Sequence, residues 1–324
     1  MATFKTTIPW VEAYRPKLLD DVVGNSAAIS RFKVIAKQGN LPNLILTGPP
    51  GVGKTTSLLC LCRELLGENL KDAVRELNAS DDRGIDVVRQ DIKQFAKRHV
   101  NLPENRQKVI ILDEADSMTE AAQQAMRRIM EKYSNTTRFI FACNNSEKII
   151  EPIQSRCALV RFTRIETNAV QSRLAKVCDL EGVDAHPEGL ATIAEQSDGD
   201  MRSALNNLQT TAMRFQSITR ENVLEAIDVP SPRIINNLVT YLLEGNLNDA
   251  LLAMSNLIEG GHSPSEILGA IFRNIRKSQE KGIDALKLEL LREIGIAQMN
   301  YAQGLSSTLQ LDALISRLFL ILNP

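Results

Sequence analysis

Apolar positions in the first half of the chain fall in short runs, and in the second half they recur at helical spacing. Asn43-Leu-Ile-Leu-Thr47, Ala73-Val-Arg-Glu-Leu-Asn78, Val109-Ile-Ile-Leu112 and Arg138-Phe-Ile-Phe-Ala-Cys143 read as strands. Val109–Leu112 is apolar throughout, as in a strand buried on both faces of a parallel sheet. Helical stretches lie between the runs: Lys54 to about Leu66, Asp86 to His99, and Thr119 to about Tyr133. In the second, Val88, Ile92 and Phe95 fall at i, i+4 and i+7, on one face. Strands alternating with helices predict right-handed βαβ units and a doubly wound sheet.

From about Glu166 onward the pattern predicts helices and no strand. Residues 167–227 give several, including Arg202 to Phe215, and Pro230-Ser-Pro232 reads as a linker. In residues 233–324, Ile234, Leu238 and Leu242 share one helical face, and Leu311, Leu314, Ile315, Leu318 and Leu322 share another. The expected fold class is α/β followed by all-α, in three domains: 1–162 α/β, 163–228 a small helical domain, and 233–324 a C-terminal helical domain.

Composition narrows the function classes. The chain has 324 residues, 44% apolar and 24% charged, which speaks against wholesale disorder. The formal net charge of −1 hides an asymmetry. Residues 1–162 carry 24 Lys+Arg against 19 Asp+Glu, and residues 163–324 carry 14 against 20. A basic half suggests a polyanion partner, although solvated surface charge gives the same count. The five cysteines show no zinc-ligand spacing, and their odd number fits a reducing compartment. No stretch reaches the roughly 18 apolar residues of a membrane span. One Trp in the chain argues against aromatic base-stacking as the mode of nucleic-acid contact.

Two motifs carry chemistry. Gly48-Pro-Pro-Gly-Val-Gly-Lys-Thr55 matches the phosphate-loop (Walker A) pattern and sits between a strand and a helix. Gly48, Pro49, Pro50, Gly51, Val52, Gly53 and the following Thr56 make it a nucleotide cradle, with backbone N–H groups and a helix N-terminus turned to phosphate. Lys54 is placed to reach the β/γ-phosphates, and the Thr55 hydroxyl to ligate Mg²⁺. Val109-Ile-Ile-Leu-Asp-Glu-Ala-Asp116 (Walker B) puts two carboxylates at the end of a buried strand, where open α/β sheets bind ligands. Asp113 suits the Mg²⁺ water shell and Glu114 suits polarising an attacking water. Asp116 reads as an acidic residue at a helix N-terminus.

Further strings extend the pattern: Pro9-Trp-Val-Glu-Ala-Tyr-Arg-Pro16, Leu19-Asp-Asp-Val-Val-Gly-Asn25, Glu76-Leu-Asn-Ala-Ser-Asp-Asp-Arg-Gly84, Ala142-Cys-Asn144, Ile149-Ile-Glu-Pro-Ile-Gln-Ser-Arg-Cys157 and Gly199-Asp-Met-Arg202. With the two nucleotide motifs they resemble the small ATP-binding subunits of eukaryotic replication factor C, the AAA+ clamp loader. The resemblance implies an AAA+ domain, a helical lid and a C-terminal helical collar. It implies ATP and Mg²⁺ as cofactors, a nuclear hetero-pentamer with other replication factor C subunits, and a sliding clamp loaded onto primer–template DNA in replication and repair. Val11, Arg15, Val23 and Gly24 match the box at the adenine end. Asn144 matches the first sensor and Arg202 the second, and Arg156 matches an arginine finger acting in trans on the neighbouring subunit's site. Arg83, Arg89 and Lys148 match residues that touch template phosphates. Ile92 and Phe95 resemble the clamp-binding element, with packing into the domain core as the alternative. Two other functions fit the motifs: an ATP-binding assembly subunit with little turnover of its own, and a different AAA+ DNA motor.

Overall fold

The computed structural model describes residues 8–79, 85–100, 102, 103, 106–227, 230, 232–278, 281–305 and 307–323. They form two compact units, Met1–Ala226 and Ile227–Pro324. The expected domains 1–162 and 163–228 fall almost entirely within the first unit.

In chain order the first unit begins with α1 (Trp10–Ala13), α2 (Ser26–Gln38), β1 (Leu44–Thr47), α3 (Lys54–Leu66), α4 (Leu70–Ala73) and β2 (Val74–Asn78). It continues with α5 (Ile85–Lys97), β3 (Lys108–Asp113), α6 (Glu120–Lys132), β4 (Thr137–Cys143), α7 (Glu151–Gln154) and β5 (Ala158–Arg161). The helical part follows: α8 (Thr167–Glu181), β6 (Asp184–Ala185), α9 (Pro187–Gln196), α10 (Met201–Arg214), β7 (Ser217–Ile218) and α11 (Arg220–Ile227).

Five strands make one parallel sheet in the order β2-β3-β4-β1-β5. Every residue of β1 is buried, as are Lys108–Leu112 of β3, which is why both read as near-continuous apolar runs. One core layer packs Ile110, Leu112, Phe139 and Phe141 against Met126, Ile129 and Met130 of α6. Because β1 lies between β4 and β5, the loop leaving β1 opens at the middle of the sheet's carboxyl edge, beside the ends of β3 and β4.

Three features differ from the sequence reading, the first being β5, which no apolar run marks. A two-residue parallel pairing, Asp184↔Ser217 and Ala185↔Ile218, joins β6 to β7 in the region expected to lack strands. Ile92 of α5 is 0% exposed and belongs to the core layer with Ile110 and Leu112, so its reading as a clamp contact is corrected. Phe95 is partly buried against the same layer. An amphipathic pattern identifies an apolar face, and here Ile92 on that face meets the sheet.

The second unit is α12 (Pro232–Leu243), α13 (Leu247–Glu259), α14 (Pro264–Lys277), α15 (Lys281–Ala302) and α16 (Leu309–Leu322) around their own core, which includes Leu238, Leu242, Ile271, Leu290, Ile294 and Ile315. Ser263 and Glu266 start α14 with a reciprocal capping box, and those hydrogen bonds hold the Glu266 carboxyl below its ordinary pKa. Ser231 of the expected linker lies outside the described residues, as do 228 and 229 before it.

Lys108 fastens α5 to the sheet. It is 4% exposed, and its Nζ donates to the carbonyls of Phe95 (2.9 Å), Ala96 (2.6 Å) and Arg98 (2.7 Å). These lie at the C-terminal end of α5, where carbonyls run short of intrahelical donors and a cation meets the favourable end of the dipole. Burial lowers the Lys108 pKa, so the ammonium depends on these acceptors. Lys108→Met keeps the stem and strands the carbonyls, and it should cost about 2 kcal/mol of stability. Denaturant unfolding reads this, and an unchanged midpoint would refute the capping role.

Candidate functional site

The carboxyl edge of the sheet and the helical part of the first unit enclose a cavity of about 230 Å³. Its floor is the loop from Pro50 to Thr56. Lys54 opens α3, is 8% exposed, and has three acceptors: Gly48 O (2.6 Å), Pro49 O (2.8 Å) and Asn144 Oδ1 (2.9 Å). Burial pulls its pKa down, while Asp113 and Asp116 act in the opposite direction. Gly48 has to be glycine, because a Cβ there would run into the carbonyl oxygen of Phe162. The loop is thus wrapped around the ammonium by backbone oxygens.

Thr55 Oγ1 donates to Asp113 Oδ2 at 2.8 Å. A hydroxyl and a carboxylate in contact, next to a phosphate loop, are the oxygen ligands that suit Mg²⁺, which binds through one or two protein oxygens, water and substrate phosphates. Among the described residues no group of three His, Cys, Asp or Glu side chains offers a metal cage of its own. Glu114 follows with φ 52 and ψ 38, in the left-handed region that side chains avoid. Ser117 secures it, donating from both its backbone N (2.9 Å) and Oγ (2.7 Å) to the Glu114 carbonyl. The Glu114 side chain is exposed and lines the cavity.

The helical part closes the opposite wall. The Asp200 side chain caps α10, accepting from Arg202 N (2.8 Å) and Ser203 N (3.0 Å). The backbone N–H of Met201 donates to Gly51 O (3.1 Å), which docks the start of α10 on the phosphate loop and brings Arg202 to the cavity. The N-terminal segment is fastened to the same part. Tyr14 OH donates to Glu181 at 2.6 Å, Arg173 donates to Tyr14 O at 2.7 Å, and Trp10 N donates to Gln209 at 2.9 Å. Burial and the Glu181 bond push the Tyr14 hydroxyl up to about 12. Arg15 reaches back across to Thr56 Oγ1 (3.3 Å).

The cavity therefore brings together Val11, Arg15, Val23, Pro50, Gly51, Val52, Gly53, Lys54, Thr55, Thr56, Asp113, Glu114, Asn144 and Arg202. Gly24, Gly48 and Pro49 are not among the lining residues; a Cβ at Gly24 would press on Ile165. Sequence reasoning did not single out Tyr14, Arg173, Met201 and Leu205 as site residues; the last three line the cavity from the helical part and Tyr14 from the N-terminal segment. Arg156 lies elsewhere, exposed after α7 and outside the lining. Lys148 is exposed in the turn after Asn144. Arg83 and the side chain of Arg89 lie outside the described residues.

Comparison with known proteins places the chain. The ATPase family associated with various cellular activities (AAA) matches residues 44–165, an RCF1/5-like AAA+ ATPase lid domain matches 172–213, and the replication factor C C-terminal domain matches 230–317. Replication factor C subunit 2 of Arabidopsis thaliana is 53% identical over 97% of this chain and 93% of the relative. The chain belongs to the replication factor C family. Replication factor C subunit 4 of Saccharomyces cerevisiae is 45% identical, covering 99% of this chain and 98% of the relative. An archaeal relative, the replication factor C small subunit of Staphylothermus marinus, is 42% identical over 95% and 94%. Among solved structures, the Thermotoga maritima RuvB Holliday junction branch migration motor matches with a TM-score of 0.55 at 17% identity, over 70% of this chain and 79% of that one. That likeness is one of fold. Replication factor C membership makes the α/β part an AAA ATPase domain, the helical part its lid, and the C-terminal unit the family's helical domain.

Gly51 is where lid and phosphate loop touch. A Cβ there would collide with the Asp200 carboxylate, and φ +67 already disfavours a side chain. Gly51→Ala should push the start of α10 off the loop and weaken nucleotide binding about tenfold or more, by the strain of a non-glycine φ and the lost contact. Titration with a fluorescent nucleotide tests this; unchanged affinity would show that lid docking does not contribute.

Proposed function

We propose that this chain is an ATP-hydrolysing subunit of a hetero-pentameric nuclear clamp loader, which uses ATP to place a sliding clamp on primer–template DNA in replication and repair. One observation carries the reading: Lys54, Thr55, Asp113, Glu114, Asn144 and Arg202 all line one cavity, while Arg156 is exposed away from it.

The roles follow from position. Lys54 meets the β/γ-phosphates, exchanging its carbonyl acceptors for phosphate oxygens. Thr55 and Asp113 would hold Mg²⁺, which would supply charge neutralisation at the phosphates. Glu114 accepts a proton from, and orients, the attacking water. Asn144 holds the Lys54 ammonium at 2.9 Å and presents its amide to the same region. Arg202 brings a cation from the lid. Val11, Arg15 and Val23 line the adenine end. Arg156 serves the neighbouring subunit's site, where a finger in trans is worth about 10³-fold or more in rate.

Glu114→Gln in the assembled complex should lower this site's hydrolysis about 10²-fold or more while ATP binding persists. ATPase assays with primed DNA and clamp read it. Undiminished turnover would support the alternative, an assembly subunit that binds ATP and turns over little. The other alternative, a branch-migration motor, calls for a winged-helix DNA-binding domain; among the described residues no strand follows Ile218.

Arg83, Arg89 and Lys148 are proposed to follow template phosphates, and Phe95 remains the proposed clamp contact on α5. Phosphate contacts are independent of sequence and screened by salt. Lys148→Ala should weaken DNA binding equally across sequences and reduce the slope of log affinity against log salt by about 1. A salt series of DNA-binding isotherms tests it, and an unchanged slope would remove Lys148 from the interface.

A further inference from the structure

Glu131, in the last turn of α6, is not part of the nucleotide cavity, yet it touches the residue proposed to act on the neighbour. Its Oε1 lies 2.7 Å from Arg156 Nη2 and 3.2 Å from Arg127 Nε. The other terminal nitrogen of Arg156, Nη1, donates to Pro152 O at 2.7 Å. The guanidinium is thus gripped at both ends of its fork, by a carboxylate from α6 and a carbonyl from α7. The backbone beneath it is fixed as well. Arg156 N donates to Ile153 O (3.0 Å), and Cys157 N donates to Gln154 O (3.2 Å). The Cys157 side chain packs against the core layer beside β4, and burial pushes its thiol up to about 12. One neighbour of Arg156 therefore points inward and Arg156 points out.

We propose that Glu131 is a positioning residue for Arg156: it holds the guanidinium in the orientation in which it meets the neighbouring subunit's transferring phosphoryl group. This rests on the reading of Arg156 as the finger. Two facts favour a positioning role over an incidental surface pair, and a third decides how it is read out. The grip is two-point, which fixes a planar fork rather than a single atom. The same carboxylate separates Arg156 from Arg127, so two like charges can lie side by side without driving the finger away. And the pair is well exposed, at 37% and 43% for Arg156 and Glu131, so it contributes little to folding. The readout of a positioning role is therefore rate rather than stability, because misplacement of a catalytic group by about 1 Å can cost 10²-fold.

The test uses the complex reassembled from this chain and its sister subunits. Arg156→Ala first defines the Arg156-dependent share of ATP turnover. Glu131→Ala should then lower that share about tenfold with KM for ATP, complex assembly and the chain's Tm unchanged. Glu131→Gln, isosteric and still offering an accepting oxygen, should retain most of the share. Glu131→Ala added to Arg156→Ala should cause no further loss. If Arg156→Ala leaves turnover normal, the finger reading itself falls and the proposal with it. If Arg156→Ala lowers turnover but Glu131→Ala does not, or lowers it further in the Arg156→Ala background, the positioning role is overturned and the finger reading stands. A Glu131→Gln loss as deep as that of Glu131→Ala also overturns it.

Discussion

The nucleotide site depends on one buried ammonium. A charge taken out of water is tolerated only when its protons all have partners. Lys54 meets that condition with two carbonyls of its own loop and one side-chain oxygen from the end of β4. This requirement explains several features at once. The loop must curl back so that the Gly48 and Pro49 carbonyls face inward, which needs a residue without Cβ where Phe162 O approaches Gly48. The ends of β1 and β4 must be adjacent, and they are, with Thr47 opposite Cys143. Burial lowers the Lys54 pKa, so the charge is costly as it stands, and an arriving phosphate offsets that cost.

The second constraint is the loop that carries Glu114. Its left-handed backbone costs about 1–2 kcal/mol, a strain kept where chemistry needs a side chain aimed off the strand. The surroundings over-determine it. Asp116 Oδ2 accepts from the backbone amides of both Asn144 and Asn145, at 3.3 Å each. Gln123, 3% exposed, donates to Met118 O and Lys148 O and accepts from Ile150 N. The loop after β3 and the segment after β4 are therefore bonded to each other, so Glu114 and Asn144 are held in one frame.

The parts legible in the sequence are those where one residue type leaves few choices. Fully buried parallel strands read as apolar runs, so β1 and β3 were visible. The phosphate loop and the acidic strand end were visible because glycine freedom and clustered carboxylates have few other uses at those places. β5 was missed because only Val160 of its four residues is buried, and β6 and β7 because two residues carry no period. Arg173 and Glu181 contribute through partners more than 150 residues away, Tyr14 in both cases, and no local spacing marks such pairs. Asp116 was legible as a residue but not as a role, since its contact is to amides 28 and 29 residues further on. Ile92 shows the limit of periodicity: the spacing defined its face, and only packing showed that Ile92 lies in the core.

Charge balance at the phosphate end gives the proposed trans arrangement a physical basis. Asp113, Asp116 and Arg202 all act electrostatically on Lys54, and Glu114 lines the same space. The lining as a whole holds Arg15, Lys54, Arg173 and Arg202 against Glu12, Asp113 and Glu114, with Asp113 and Glu114 beside the phosphate loop. A triphosphate entering there brings further negative charge close to Asp113 and Glu114, and the transition state of its hydrolysis needs compensation at that moment. The carboxylates account for a divalent cation as one source. Arg156 cannot be the other for its own site, being exposed outside the cavity and gripped by Glu131 and Pro152. On the proposed reading, a neighbour's arginine brings positive charge at that moment, which would tie full-rate hydrolysis to the assembled ring.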